Sequence, residues 1–278
     1  IRFLKAKAVA PPVIAPIAGI VLGKNHFKGQ ETVIKLSALD RRRHLFVAGR
    51  AGAGKNHFLK NLIQQDIDGS AGIGVIDLRG DLIDSIMANA PRRRHKDIVL
   101  FNHTDIKQPL NIDIDDIMDN GKIFLANLSK DKISETNSIL LERALLNEFQ
   151  SSTLKRTEKR DRITNRDFYL YINEFRESAV GSIADILAET AKNRHNVNLT
   201  LANQSVIELS DKAGSLMAFR SNFDNAKFLV KYFQPVFHEI DLINIDENYA
   251  YAKLLVNDIP TTPFNIEIEE IISKRSEF

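Results

Sequence analysis

Gly49-Arg50-Ala51-Gly52-Ala53-Gly54-Lys55 has the residue types and the spacing that hold a chain of phosphates. An apolar run, His44 to Ala48, leads into it. Behind it Phe58, Leu59, Leu62 and Ile63 repeat at helical spacing. A strand, then G-x-x-x-x-G-K, then a helix is the order found in nucleoside triphosphatases. Glycines let successive backbone N–H groups curl around an anion. The helix points the positive end of its dipole at the same place. Gly49, Gly52, Ala53, Gly54, Asn56 and His57 form the expected cradle, and Lys55 reaches the outer phosphates. The motif ordinarily ends in Ser or Thr, whose hydroxyl ligates magnesium; Asn56 stands there instead.

A second constellation ends the apolar run Phe168 to Ile172, where Asn173 and Glu174 follow. Phosphate-loop enzymes place an acidic residue here to hold magnesium, and a neighbouring group orients the attacking water. The chain supplies the glutamate but an amide at the metal position. Asn56 and Asn173 are therefore the expected Mg2+ ligands, through amide oxygens that lack a carboxylate's charge. ATP binding and ATP hydrolysis separate in such a site. A metal-dependent hydrolase built on Asp77, Asp81 and His95 is a third reading, and those residues show no ligand spacing.

Positioning these groups requires strands that end at one edge. Strands are predicted at Leu45–Ala48, Ile73–Asp77, Ile98–Asn102, Lys122–Leu128, Phe168–Asn173, Val197–Asn203, Leu216–Arg220 and Ala250–Val256. Helices are predicted at Asn56–Ile67, Asp81–Ala90, Ser138–Phe149, Ser182–Arg194, Gln204–Leu209 and Asn222–Tyr232. Strands apolar on both faces and separated by helices give an α/β fold with a mostly parallel sheet. Its ligands sit at the carboxyl ends of the strands, where the loop, Asp77, Asn173-Glu174 and Asn203-Gln204 all fall. Residues 1–40 are punctuated by Pro11, Pro12 and Pro16. They carry strand runs at Ile17–Leu22 and Thr32–Leu36 with a turn at Gly23-Lys24-Asn25, which predicts a small β-rich extension ahead of a 41–278 motor domain.

The 278 residues are 44% apolar and 27% charged, ordinary for a globular protein. No apolar run approaches the roughly 18 residues of a membrane span. With no cysteine, disulfides and thiolate metal sites are excluded and a cytoplasmic location is expected. Net charge is +2, but basic residues cluster at Arg41–His44, Arg92–Lys96 and Lys155–Arg166. Each reads singly as a solvated loop, and together as a surface for nucleic-acid phosphates.

Several segments resemble the HerA/FtsK superfamily, and within it the TraD-like coupling ATPases of type IV secretion and conjugation. They are Arg43 to Gly49, Gly74-Val75-Ile76-Asp77-Leu78-Arg79-Gly80-Asp81-Leu82, Asp97 to Phe101, Gly121 to Leu128, Tyr169 to Phe175, Asn198 to Gln204 and Ala218-Phe219-Arg220. The resemblance implies a RecA-like, ATP-dependent DNA translocase, a homo-oligomer in a hexameric ring, docked on membrane-associated secretion machinery. It implies Lys55 as the phosphate lysine and Glu174 as the water-activating base. Gln204 would sense the γ-phosphate, and Arg220 would face a neighbouring subunit's site, with Arg194 second. Where the family has D-P-H-G-D, this chain has Asp77-Leu78-Arg79-Gly80-Asp81. The family's helical insertion is missing near 112–120. A non-enzymatic assembly subunit that binds nucleotide without turning it over is the alternative.

Overall fold

The computed structural model describes residues 7–13, 16–101, 112–129, 133–158, 166–193, 196–204 and 208–269. Its centre is a run of parallel strands whose apolar side chains are buried on both faces, except in the edge strand Ile98–Phe101, which is only half-buried. These are β3 (Leu45–Ala48), β4 (Gly72–Asp77), β5 (Ile98–Phe101), β6 (Ile123–Asn127), β7 (Phe168–Asn173), β8 (Val197–Asn203) and β9 (Ser215–Ala218). They lie in the order β9-β3-β8-β7-β4-β6-β5, so a single strand separates those that lead into Lys55 and Asn173. Four antiparallel strands extend the same sheet: β10 (Tyr249–Lys253), β13 (Phe264–Glu267), β1 (Ile20–Phe27) and β2 (Gln30–Leu36).

Helices cover both faces. On one face α2 (Lys55–Asp68) and α3 (Asp81–Asn89) bury Phe58, Leu59, Leu62, Leu82 and Ile86. On the other face lie α4 (Ile114–Asp119), α5 (Glu135–Glu158), α6 (Val180–Asn193), α7 (Phe223–Phe233) and α8 (Glu239–Ile243). They contribute Ile117, Leu145, Phe149, Ile183, Leu229 and Leu242 to a second core. The parallel α/β architecture expected from the alternation is therefore present.

Four local expectations need correction. The N-terminal turn falls at Lys28-Gly29, where φ is 49° and 80°, and not at Gly23 to Asn25. Gly23 instead sits at a register shift, and the strand continues because buried Asn25 donates to the carbonyls of Val9 and Asn265. Residues 250–256 break into β10 and β11 (Leu255–Val256). The latter turns at Asn257-Asp258, both at positive φ, into β12 (Ile259–Pro260). The stretch after Gln204 is described only from Glu208, as a short 3-10 turn to Lys212. The segment expected to bridge to β6 contains α4, capped by Asp113 and packed through Ile114, Ile117 and Met118.

The basic clusters precede β3, β5 and β7, so they lie at the amino edge of the sheet, away from the glycine loop. Most of their charges are spent internally. Arg41, in the short helix α1 (Ala38–Arg41), is buried and grips Asp66 of α2 with 2.6 and 2.8 Å bonds, and it donates to Tyr171 at 3.0 Å. Arg42 meets Asp167, Arg43 meets Asp258, and Arg156 meets Asp119. Arg94 is buried and donates to the carbonyls of Ile67, Ala71 and Gly121. Of the 155–166 cluster, 159–165 lies outside the described residues.

His44 is buried at the mouth of β3 in a left-handed conformation, φ 65°. Its Nδ1 accepts the Leu199 N–H at 3.1 Å, which leaves Nε2 to donate to Thr190 Oγ1 at 2.8 Å. Burial, with the Arg43 charge beside it, holds the imidazole pKa down to about 4. Between that value and the ordinary 6.5 the unfolded chain binds a proton that the folded chain refuses. Stability is therefore full above pH of about 6.5 and falls as pH drops, by about 3 kcal/mol near pH 4. His44→Asn tolerates the left-handed backbone and removes this titration. Urea unfolding between pH 7 and 4.5 should show a flatter loss in the variant; parallel curves would show that His44 is not the titrating group.

Candidate nucleotide-binding site

The loop between β3 and α2 turns through three glycines at positive φ: Gly49 at 155°, Gly52 at 72° and Gly54 at 103°. At Gly49 a side chain has no room, because an added Cβ would stand 2.7 Å from Phe219 Cβ. The loop is pinned by Arg50 N–H donating to the Arg220 carbonyl at 2.9 Å and Ala53 N–H to the Arg50 carbonyl at 3.3 Å. Ala53 is buried, while Asn56 and His57 are half-buried on the first turn of α2.

The start of α2 breaks two rules of helix design. Its cap, Gly54, offers no side chain to the leading N–H groups, and the first turn carries Lys55 and no acid. Neighbouring α3 also begins after a glycine, Gly80, but it is closed by its own carboxylates. Asp77 Oδ2 accepts the Leu82 N–H at 2.9 Å, and Asp81 and Asp84 lie in the first turn. A cation at an uncapped helix start is costly unless an anion arrives there.

Lys55 is buried and folds back over the loop. Its Nζ donates to the Gly49 carbonyl at 2.7 Å and the Arg50 carbonyl at 3.2 Å, and meets Glu174 Oε1 at 3.1 Å. Burial pushes its pKa down, and the nearby Arg79 charge acts in the same direction; Glu174 opposes both. Glu174 is half-buried, at φ 59° just past β7, with its N–H held by the Ala202 carbonyl at 2.8 Å. A non-glycine residue held in that region at a strand end is where backbone strain meets function.

Asn56 and Asn173, expected around magnesium, are brought together, but as a donor–acceptor pair. Asn173 Nδ2 donates to Asn56 Oδ1 at 3.3 Å and to Asp77 Oδ1 at 3.0 Å. Asn173 Oδ1 is buried and has no hydrogen-bond partner among the described residues. Asp77 is fully buried and level with Asn173 in the β4–β7 register. Burial raises its pKa against the pull of the N–H groups of Arg79 and Leu82 and the amide of Asn173. The three-residue hydrolase is not assembled. His95 bonds the Ala90 carbonyl at the other edge, and no metal-type cluster exists among the described residues.

Gln204 follows β8 at the same edge, its carbonyl held by the Asn225 amide at 2.5 Å. Arg220 follows β9 beside the loop. Its Nη2 lies 3.8 Å from Glu247, and its Nε is buried with no partner among the described residues. Arg194 lies outside the described residues. Two features escaped the sequence reading. Arg176, just past Glu174, clamps Glu142 of α5 at 2.8 Å and donates to Ser138 at 2.9 Å. Ser138 and Glu142 are polar residues one turn apart on a helix whose Leu145 and Phe149 are buried, and that spacing was the available signal. Arg79 is the other; it is exposed above Asp77, whose Oδ1 accepts its N–H at 3.1 Å.

Neither a protein-family model nor a curated protein sequence matches the chain. Solved structures do. The plasmid coupling protein TrwB in complex with a non-hydrolysable ATP analogue is 13% identical with a TM-score of 0.66, covering 97% of this chain and 95% of that one. Its unbound form, described as a bacterial conjugative coupling protein, gives a TM-score of 0.65 at the same identity and coverage. The genome packaging NTPase B204 of Sulfolobus turreted icosahedral virus 2, in complex with AMPPCP, is 10% identical with a TM-score of 0.52, covering 81% of this chain and 97% of that one. At these identities the likeness is one of fold, the RecA-like α/β fold with a mostly parallel sheet that this chain shares with TrwB and B204.

Proposed function

We propose that this chain is a nucleotide-binding, motor-type subunit that acts on DNA, with ATP held along Gly49 to His57. The observation that carries the reading is the pairing of Lys55 with Glu174 across the uncapped start of α2. ATP fits this place: the glycine turns and free helix N–H groups suit phosphates, and Lys55 is the only cation in the first turn of α2. The bound nucleotide supplies the phosphoanhydride whose cleavage does work. Lys55 leaves Glu174 to hold the outer phosphates, and Glu174 accepts the proton of an attacking water. Gln204 and Arg220 stand at the same edge as a polar sensor and an arginine offered to a neighbouring copy. The DNA side of the reading draws on the fold neighbours, a conjugative coupling protein and a genome packaging NTPase. A ring of like subunits, six by the motif resemblance, coupled to a secretion machine, is the arrangement in which this would operate.

A divalent ion does not fit the polar groups as they stand. The amides at 56 and 173 are neutral, and the Asn173 NH2 points at both Asn56 Oδ1 and Asp77 Oδ1. That hydrogen bond favours the second reading, a subunit that binds nucleotide and assembles but turns over poorly.

Lys55→Ala should weaken ATP binding roughly 10- to 100-fold, since a charge-assisted contact is lost. Equal affinities by titration calorimetry would remove the site. Asn56→Ser with Asn173→Asp should raise hydrolysis at least about tenfold, only about 1.4 kcal/mol of barrier; unchanged turnover with ATP still bound would clear the amides of blame. In that background Arg220→Ala should bind ATP and lose turnover, and mixing it with Lys55→Ala subunits should restore activity. A dead mixture, or a protein that stays monomeric with ATP and DNA, rules out action across a subunit contact.

A further inference from the structure

We infer that this site takes its nucleotide as the metal-free triphosphate, with the Arg79 guanidinium supplying positive charge that a divalent ion would otherwise bring. The inference rests on the nucleotide-binding reading above and concerns the form in which the ligand is held.

The first observation is that Asn56 and Asp77, two of the three side chains at the metal's expected place, have their oxygens engaged, which leaves one neutral amide oxygen, Asn173 Oδ1, without a partner among the described residues. Asn56 Oδ1 accepts from Asn173, and Asp77 Oδ1 accepts from Asn173 Nδ2 and the Arg79 N–H. Asp77 Oδ2 is taken by the Leu82 N–H, so Asp77 serves as the side-chain cap of α3. A hard cation needs several oxygens, preferably charged, and here it would have to displace an amide donor and uncap a helix. The Asn173 amide makes the bridge between β4, β7 and α2 that an ion would make.

The second observation is a surplus cation. Arg79 is exposed in the β4–α3 turn and makes no ion pair among the described residues. Its N–H is anchored on Asp77, which sits beside Asn173 and thus beside Asn56 on the first turn of α2. It is near enough for its charge to act on Lys55. Gly80, at φ 86° with Asn127 2.8 Å from where a Cβ would stand, bends the chain sharply behind Arg79. Arg79 and Lys55 carry like charges that oppose each other, and an anion that meets both relieves that repulsion. A triphosphate without metal carries more negative charge than its magnesium complex, so it calls for such an extra cation. The planar guanidinium offers paired N–H groups to phosphate oxygens.

The test is titration calorimetry with ATP on the intact protein, in EDTA and then in excess magnesium. We expect the two Kd values to agree within about twofold. Arg79→Ala should weaken binding about tenfold or more in both buffers, and Arg79→Lys less, because a point charge replaces the fork. Asn173→Asp should make binding tighten with magnesium. Melting temperatures of the Arg79 variants should match wild type, since that side chain is exposed. Wild-type affinity that rises about tenfold with magnesium, or Arg79→Ala binding as tightly as wild type, overturns this inference and leaves the nucleotide site standing. Absence of ATP binding in either buffer, with the protein folded, overturns the nucleotide reading itself.

Discussion

Parallel pairing in fixed register is the constraint on which the rest of this molecule depends. Asp77 is level with Asn173, Asn173 with Ala202, and Asn203 with Ala48. Four strands from distant parts of the sequence therefore end together, and the candidate site is built on and just beyond those ends. A slip of one residue would turn every side chain on a strand to the opposite face. The apolar residues buried on both faces of β4, β7 and β8 hold that register, so the packing of the core sets the geometry of the polar edge.

The two edges of the sheet handle charge in opposite ways. At the amino edge Arg41, Arg94 and Arg156 are buried and matched by carboxylates or carbonyls. Losing one partner of such a pair typically costs about 3–5 kcal/mol, which makes this edge a brace. At the carboxyl edge Lys55 has only one carboxylate, Arg79 has none among the described residues, and Arg220 has a distant, exposed one. Basic side chains are thus less fully paired at the edge proposed to hold the nucleotide.

Much of this was legible in residue order. Two-faced apolar strands such as Phe168–Asn173 have no polar face to mislead, and Gly49 to Lys55 carries its mechanism in its spacing. The hairpin was harder to read because β1 alternates buried and half-buried residues through Lys24, Asn25 and His26, and a buried Asn25 whose amide donates to backbone carbonyls looks like a turn residue in sequence. The partners of basic residues were not legible at all. Arg41 with Asp66, and Arg176 with Glu142, are matched across sheet and helix, and nothing local distinguishes them from solvated charges. The direction of the Asn173 amide is set by Asp77 on another strand, so sequence identified the residue and left its hydrogen bonds open.

The placement of β1 has a consequence for how the chain reaches this state. β1 joins the sheet through β13, Lys24 opposite Glu267, and its other strand partner is β2 of its own hairpin. The hairpin closes through a local turn, but its place in the sheet does not exist until β13 has been laid against β10. Closing so long a loop costs about 3 kcal/mol more entropy than closing one of about ten residues. The bonds between Gln65 and Val21, with Ile20 and Leu22 buried in the core that α2 lines, give the hairpin a more local hold on α2. The edge hairpin is thus attached to the sheet by the pairing of two strands far apart in sequence, β1 and β13.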